Sequence, residues 1–189
     1  DFSLAGKQAG GDKDSGTRSS LMYETIRIVE KLKPKYVIWE NVKNLLSKKH
    51  IHNFNAYLET MKSFGYTNYY KVLNAKDYGV PQNRERVFVV SIRKDIQQGY
   101  TFPEKIPLEK RLKDILEDSV DEKYYLSDRM VNFFIKNSED KAKKGNGFRF
   151  TPQFGETYAR AVTTNAGSRM DDNFIKEPVL IGGMQANQS

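Results

Sequence analysis

The first candidate for chemistry is a carboxyl at the end of a short apolar stretch. Glu40 directly follows the continuous apolar residues 36–39. Ligands of α/β sheets collect at the carboxyl ends of strands, so a carboxyl at this position suits a group that donates a proton to a substrate or shares one with it. A loop cap or an ion pair with a lysine would explain the same residue, and position alone favours that ordinary role.

The second candidate is a charged segment at the start of another apolar run. Gln82, Arg84 and Arg86 occupy alternate positions that lead into the apolar run 86–92. Because side chains alternate along a strand, we expect all three on one face and Glu85 on the other, where it could pair at the surface. Two guanidinium groups on one face suit a phosphate or a carbonyl oxygen. A solvated charge cluster is the alternative.

The elements that must position these residues follow from apolar periodicity and from Gly and Pro. Helices are expected at residues 20–32, 53–64 and 128–136, with a helix-like stretch at 108–117, and strands at 36–39, 70–74 and 86–92. The uninterrupted run 36–39 is typical of a parallel strand covered on both faces. The order favours part of an α/β sheet, yet such sheets typically have about five or six strands. A partner or a missing segment is therefore implied.

Composition limits the class of protein. The 189 residues carry 31 Lys and Arg against 24 Asp and Glu, a net charge of +7, which favours a polyanion such as nucleic acid as partner. The absence of Cys excludes disulfides, thiolate metal sites and a cysteine nucleophile from this chain. No run approaches the roughly 18 apolar residues of a membrane span, and no signal peptide is evident, so we expect a cytoplasmic protein.

Four blocks of the sequence, in order, resemble the DNA cytosine-5 methyltransferases of bacteria and phages. The first resembles the segment directly after the Pro-Cys-Gln motif of that family, and the others match its next blocks. They are Asp-Phe-Ser-Leu-Ala-Gly at 1–6, Arg-Ser-Ser-Leu at 18–21 with Glu24, Glu-Asn-Val at 40–42, and Tyr-Gly-Val-Pro-Gln-Asn-Arg-Glu-Arg at 78–86. Ser19 stands where a glycine is common.

The resemblance implies a fold and a reaction. The fold is α/β: residues 1–100 would form the second half of a Rossmann-like methyltransferase sheet, and residues 101–189 a linker and the beginning of a mixed target-recognition domain. The family flips a cytosine out of double-stranded DNA, attacks ring position 6 with a thiolate, and transfers a methyl group from S-adenosylmethionine to carbon 5. A restriction-modification or phage system is the expected setting.

The resemblance also implies roles for individual residues. Glu40 would contact the ring nitrogen and exocyclic amine of the flipped base, Arg86 its carbonyl oxygen, and Arg84 would help to position the base or backbone. The remaining implied positions are Asn41 and Gln82 as structural support and Leu21 against the methyl donor. No metal is expected.

Two further segments would meet DNA by the same resemblance. The loop that closes over DNA would include Phe2, Ser3, Lys7, Gln8 and Arg18, with its glycines as hinges, although a polar glycine-rich segment is also typical of a flexible tail. Residues 158–175 resemble the start of the target-recognition region, where Arg160, Thr164 and Arg169 could contact phosphates or base edges. An ordinary polar surface loop is the alternative for that region.

What the sequence lacks sets the last expectation. The Pro-Cys-Gln nucleophile and the glycine-rich donor site of the family are not in these 189 residues, so the ends are expected to be cut edges and the chain alone is expected to be inactive. Three alternatives stay open. The chain could be one subunit of a split enzyme completed by a second polypeptide, a non-catalytic DNA-binding remnant, or part of an enzyme that acts on RNA.

Overall fold

The computed structural model describes residues 21–145, 149–162 and 169–176. The chain divides into two compact units. The first unit contains the residues up to Asn74 together with Glu85–Lys105, and the second contains Ala75–Arg84 together with the residues from Ile106 onward. The assignment of residues 1–100 and 101–189 to two functional domains stays a prediction.

Eight helices and strands run along the described residues, apart from short 3-10 turns. In chain order they are α1 (Leu21–Leu32), β1 (Tyr36–Val42), α2 (Ile51–Ser63), β2 (Tyr66–Asn74), β3 (Gln82–Asn83), β4 (Glu85–Arg93), α3 (Asp128–Lys143) and β5 (Ala159–Arg160). The predicted helices α1 and α2 are confirmed to within about two residues. Gly65, with a φ of 88°, follows the C-cap residue Phe64 of α2 in the left-handed conformation that glycine adopts readily.

The first unit contains a three-stranded sheet in the order β1-β4-β2, and β4 is antiparallel to both neighbours. The prediction that residues 36–39 form a parallel strand covered on both faces is wrong. Alternate side chains of β1 face solvent, and Ile38 is 73% exposed. A short apolar run does not specify its pairing partner, because that partner is a strand about 50 residues away.

One face of this sheet carries the core of the first unit. Val87 and Val89 of β4 are fully buried there with residues of both helices. The ring of Trp39 stacks on Tyr57 at 4.1 Å between centroids. The other buried members are Met22, Val29, Leu45, Phe54, Met61 and Tyr66. The two helices therefore cover one face of the sheet.

The second unit is built around α3 and a two-stranded parallel ladder of β3 and β5. Helix α3 runs to Lys143, seven residues beyond the predicted end, and the Ser127 hydroxyl caps it by accepting from the amide of Met130. Its Phe134 packs with Phe150 and Phe174 at ring distances of 5.5–5.6 Å. These three rings form an aromatic core for the second unit.

The predicted helix-like stretch at 108–117 is mostly wrong. Only Leu112–Ile115 form a single 3-10 turn. The amides of Leu112 and Lys113 donate to the carbonyl oxygens of Thr157 and Gly155, so tertiary partners take the donors that an α-helix would use internally. No helix among residues 21–145, 149–162 and 169–176 is long and apolar enough to cross a membrane.

Candidate active site

Glu40 and Arg86 meet on one face of the three-stranded sheet. The register pairs Val42 with Arg86 and Glu40 with Phe88, so the two charged residues are diagonal neighbours that share a face. Arg86 Nε lies 3.0 Å from Glu40 Oε1. The Glu40 side chain is 43% exposed and the Arg86 side chain 19% exposed. A charged pair therefore stands at the sheet surface with its carboxylate open to solvent.

Arg86 is fixed from several sides. It lies on the central strand between Val42 of β1 and Leu73 of β2. Its Nη1 also donates to the carbonyl oxygen of Glu85 at 2.8 Å. A guanidinium held in this way presents its donors in a defined direction.

Glu85 pairs on its own with Lys43, whose ammonium lies 2.9 Å from both carboxylate oxygens. This confirms the prediction that Glu85 pairs at the surface. Lys43 comes next to Val42 at the end of β1, so the ion pair joins the first residues after β1 to the first residue of β4. Lys43 was not predicted as part of the site, although its place next to the Glu-Asn-Val block is a signal in the sequence.

Asn41 supports the end of β1. Its Oδ1 accepts from the amide of Val42 at 2.9 Å, next to the short turn Lys43–Leu46. It pairs in register with Val87 of β4, one position away from Glu40. The side chain is thus used for the backbone of the strand end, and its supporting role in the site stays a prediction.

The prediction that Gln82, Arg84 and Arg86 lie along one strand is wrong. Gln82 belongs to β3, Arg86 to β4, and Arg84 lies between the two strands. The carbonyl oxygen of Arg84 accepts from the amide of Ala75 at 3.1 Å and closes the segment Ala75–Arg84, which belongs to the second unit. The three residues therefore do not share a strand, because β3 pairs with β5 and β4 begins only at Glu85.

Two of the expected recognition residues are described, both in the second unit. Arg160 lies in β5, and its Nη1 donates to the carbonyl oxygen of Asp171 at 3.0 Å. Arg169 forms an ion pair with Asp171 at 3.1 Å. Asn173, whose side chain forms hydrogen bonds with the backbone of Arg160, was not predicted. Nothing in the local sequence pattern marks that residue.

The other predicted site residues lie outside the part of the chain that the structure describes. Leu21 opens α1, but its side chain is not described. The remaining residues outside the described ranges are Phe2, Ser3, Lys7, Gln8, Arg18 and Thr164. Their roles stay predictions.

The family model of the C-5 cytosine-specific DNA methylases matches residues 1–186, nearly the whole chain. The chain belongs to this family. Among curated relatives of this chain, the type II methyltransferase M2.ScrFI of Lactococcus lactis subsp. cremoris is 52% identical over 132 residues, which are 70% of this chain and 36% of the relative. The type II methyltransferase M.HhaI of Haemophilus parahaemolyticus is 38% identical over 145 residues, 74% of this chain and 43% of the relative. The chain therefore spans less than half the length of either relative.

Solved structures agree on the fold. A mutant of Spodoptera frugiperda DNMT2 superposes with a TM-score of 0.63, at 18% identity, over 95% of this chain and 52% of that one. The resemblance carried by the four sequence blocks is confirmed, as is the Rossmann-like methyltransferase class of the α/β fold. Glu40 and Arg86 are the two expected catalytic residues that the structure brings together.

Proposed function

We propose that this chain supplies the base-binding part of a DNA cytosine-5 methyltransferase of a restriction-modification or phage system. The observation that carries the proposal is the 3.0 Å pair of Arg86 and Glu40, formed by two residues that match the motif blocks of the family. Double-stranded DNA is the proposed substrate. The net charge of +7 supports a polyanionic partner.

The pair suits one edge of a flipped cytosine. That edge carries an exocyclic amine that donates, a ring nitrogen that accepts, and a carbonyl oxygen that accepts. The Glu40 carboxyl would accept a hydrogen bond from the amine and share a proton with the ring nitrogen. Arg86 would donate to the carbonyl oxygen. Attack at ring position 6 pushes negative charge toward the ring nitrogen and the carbonyl oxygen. Groups already fixed on one sheet face would stabilise this charge without reorganisation.

Other residues of the chain would assist. Arg84 would help to position the base or the backbone, Asn41 and Gln82 would support the site, and Arg169 would meet DNA. S-adenosylmethionine supplies the methyl group when bound, and Leu21 is the residue proposed to lie against it. The expected loop residues (Phe2, Ser3, Lys7, Gln8, Arg18) and Thr164 would also contact DNA. We place the reaction in the cytoplasm, where bacterial DNA is accessible.

The thiolate must come from elsewhere, because these 189 residues contain no Cys. We propose that the nucleophile and the donor-binding half, carried by a preceding segment of the same protein or by a second polypeptide, complete the sheet at β1. Among the described strands, β1 pairs with β4 alone and is therefore an edge strand of the sheet. Its Tyr36 and Ile38 are exposed on the face that the helices do not cover. A strand edge with exposed apolar side chains is a template for a further strand.

Coexpression with such a polypeptide tests the proposed function. The complex should transfer tritiated methyl groups from S-adenosylmethionine to cytosines of duplex DNA, and neither polypeptide alone should do so. A Glu40→Gln complex serves as the matched control, since it keeps the shape of the side chain and removes its charge. Equal transfer by the wild-type and Glu40→Gln complexes would contradict the role of the pair, and transfer to RNA alone would contradict DNA as the substrate.

A further inference from the structure

Arg160 uses its side chain inside the second unit. Its Nη1 donates to the carbonyl oxygen of Asp171 at 3.0 Å, and its Nη2 to that of Thr151 at 3.4 Å. Its Nε donates to the side-chain oxygen of Gln153 at 3.1 Å. In the same orientation of the Gln153 amide, the side-chain nitrogen donates to the carbonyl oxygen of Tyr158. All three guanidinium nitrogens are thus directed at this segment of the second unit. If the guanidinium turned toward DNA, these oxygen acceptors would lose their charged hydrogen-bond donor, which is unfavourable.

Asn173 holds the backbone of the same residue. The amide of Arg160 donates to Asn173 Oδ1 at 2.7 Å, and Asn173 Nδ2 donates to the carbonyl oxygen of Arg160 at 3.0 Å. One side chain therefore satisfies both backbone groups of Arg160, as a neighbouring strand would. Side chain and backbone of Arg160 together join residues 151–153 to residues 171–173.

This joined segment is bound directly to the motif that carries Arg84. In the parallel ladder Ala159 pairs with Gln82, and Arg160 pairs with Asn83. The amide of Ala159 donates to the carbonyl oxygen of Pro81 at 2.8 Å. Arg84 is the next residue after this ladder. Its backbone is therefore held by the β3–β5 ladder on one side and by the amide of Ala75 on the other.

A second contact strengthens the attachment. Lys76 Nζ lies 4.7 Å from the centre of the Tyr158 ring and 3.3 Å from its hydroxyl oxygen. Lys76 belongs to the short turn Ala75–Asp77, at the start of the closed segment that ends at Arg84. The segment Ala75–Arg84 is thus held near its start by Tyr158, just before β5, and near its end by Arg160 within β5.

We propose that Arg160 is a positioning residue that acts with Asn173 to fix Arg84, instead of a side chain that reads DNA. The inference rests on the proposed function, because Arg84 contacts a substrate only there. It assigns Arg160 a different role from Thr164 and Arg169. It also means that motif residues 81–84, β5 and residues 171–173 form one hydrogen-bonded piece of the second unit.

The structural arm of the test uses the 189-residue chain. Arg160→Met and Asn173→Ala should both shift the NMR signal of the Arg84 Nε–H group and speed hydrogen exchange at the Ala159 amide about tenfold or more. Arg160→Lys should not rescue either effect, because an ammonium cannot donate in three fixed directions from a planar fork. Ser127→Ala, which removes the cap of α3 in the same unit, is the control and should leave the Arg84 signal in place. An unchanged Arg84 signal in both Arg160→Met and Asn173→Ala would overturn the proposal.

The binding arm separates positioning from a phosphate contact. A residue that contacts a phosphate contributes about one unit to the slope of log affinity against log salt, and its removal lowers that slope. We expect Arg160→Met to keep the wild-type slope on duplex DNA, and uncharged Asn173→Ala to weaken binding as much as Arg160→Met does. A lowered slope in Arg160→Met that Arg160→Lys restores would overturn the proposal. Failure of the wild-type chain to bind duplex DNA would count against the proposed function, and the NMR and exchange measurements would still decide the role of Arg160.

Discussion

Arg86 Nε lies 3.0 Å from Glu40 Oε1, across two antiparallel strands that contribute one residue each. The pair is held by strand register, since β1 and β4 are joined through seven paired positions from Tyr36 to Val42. The geometry is therefore present before any substrate binds. This pre-formed arrangement is what the proposed base-binding role requires.

Glu40→Gln should lower the turnover of the reconstituted enzyme by about 10²-fold or more, the usual effect of losing a group that transfers a proton. Glu85→Gln is the matched control. It removes the carboxylate that pairs with Lys43, and an exposed pair of this kind contributes only about 0–1 kcal/mol to stability. Single-turnover methyl transfer measures both variants. Turnover of Glu40→Gln within a few-fold of wild type would remove Glu40 from the mechanism.

The stability of the first unit should fall in acid through Asp95. The Arg93 guanidinium, bonded to Asp95 at 2.7 and 2.9 Å, holds the pKa of that carboxyl below its ordinary value of 3.8. A lowered pKa in the folded state gives stability that is present above pH 3.8 and is lost as the pH falls through the folded-state pKa. Arg93 also donates to the carbonyl oxygen of Lys33, just beyond α1.

Asp95→Asn tests this linkage. We expect the variant to have a lower Tm than wild type at pH 7, and the difference to shrink at an acid pH well below 3.8. Thermal unfolding followed by circular dichroism at both pH values gives the comparison. A Tm difference that is the same at both pH values would contradict the linkage.

Tyr57 should resist ionisation while the protein is folded. Burial raises the pKa of its hydroxyl far above the ordinary value, and the neighbouring Ser91 hydroxyl lowers it in part. Because the raised pKa belongs to the folded state, this stability is complete below the unfolded pKa of 10.0 and decreases as the pH rises above it. Tyr57→Phe should therefore reduce the loss of stability between about pH 10 and 12. At pH 7 it should change the free energy of unfolding by only about 1 kcal/mol. Urea unfolding across this range measures the effect, and equal alkaline slopes in both proteins would contradict it.

Local signals predicted part of the fold. The helix α1 before Pro34, and α2 before Gly65, follow from apolar spacing and from residues that end helices. The antiparallel pairing of β1 with β4 could not be predicted from local signals, because pairing depends on residues far away in the chain. The short turn at Leu112–Ile115 also depended on distant partners, the carbonyl oxygens of Gly155 and Thr157.

The candidate site was predicted in part for the same reason. Glu40 was placed at a strand end, and Arg86 at the start of a strand, from sequence pattern, and the resemblance gave them a common substrate. Their contact depends on strand register, which the sequence pattern does not specify. The position of Arg84 outside any strand follows from the closed segment Ala75–Arg84, which simple alternation could not foresee.

Covalent trapping on duplex DNA containing 5-fluorocytosine shows which polypeptide supplies the nucleophile and whether Glu40 assists it. The account predicts that the purified chain forms no denaturation-resistant adduct, because its 189 residues contain no thiolate. With the complementary polypeptide and S-adenosylmethionine, an adduct should form on that polypeptide, and it should be strongly reduced when this chain carries Glu40→Gln. An adduct on this chain itself, or equal trapping with wild-type and Glu40→Gln chains, would contradict the account.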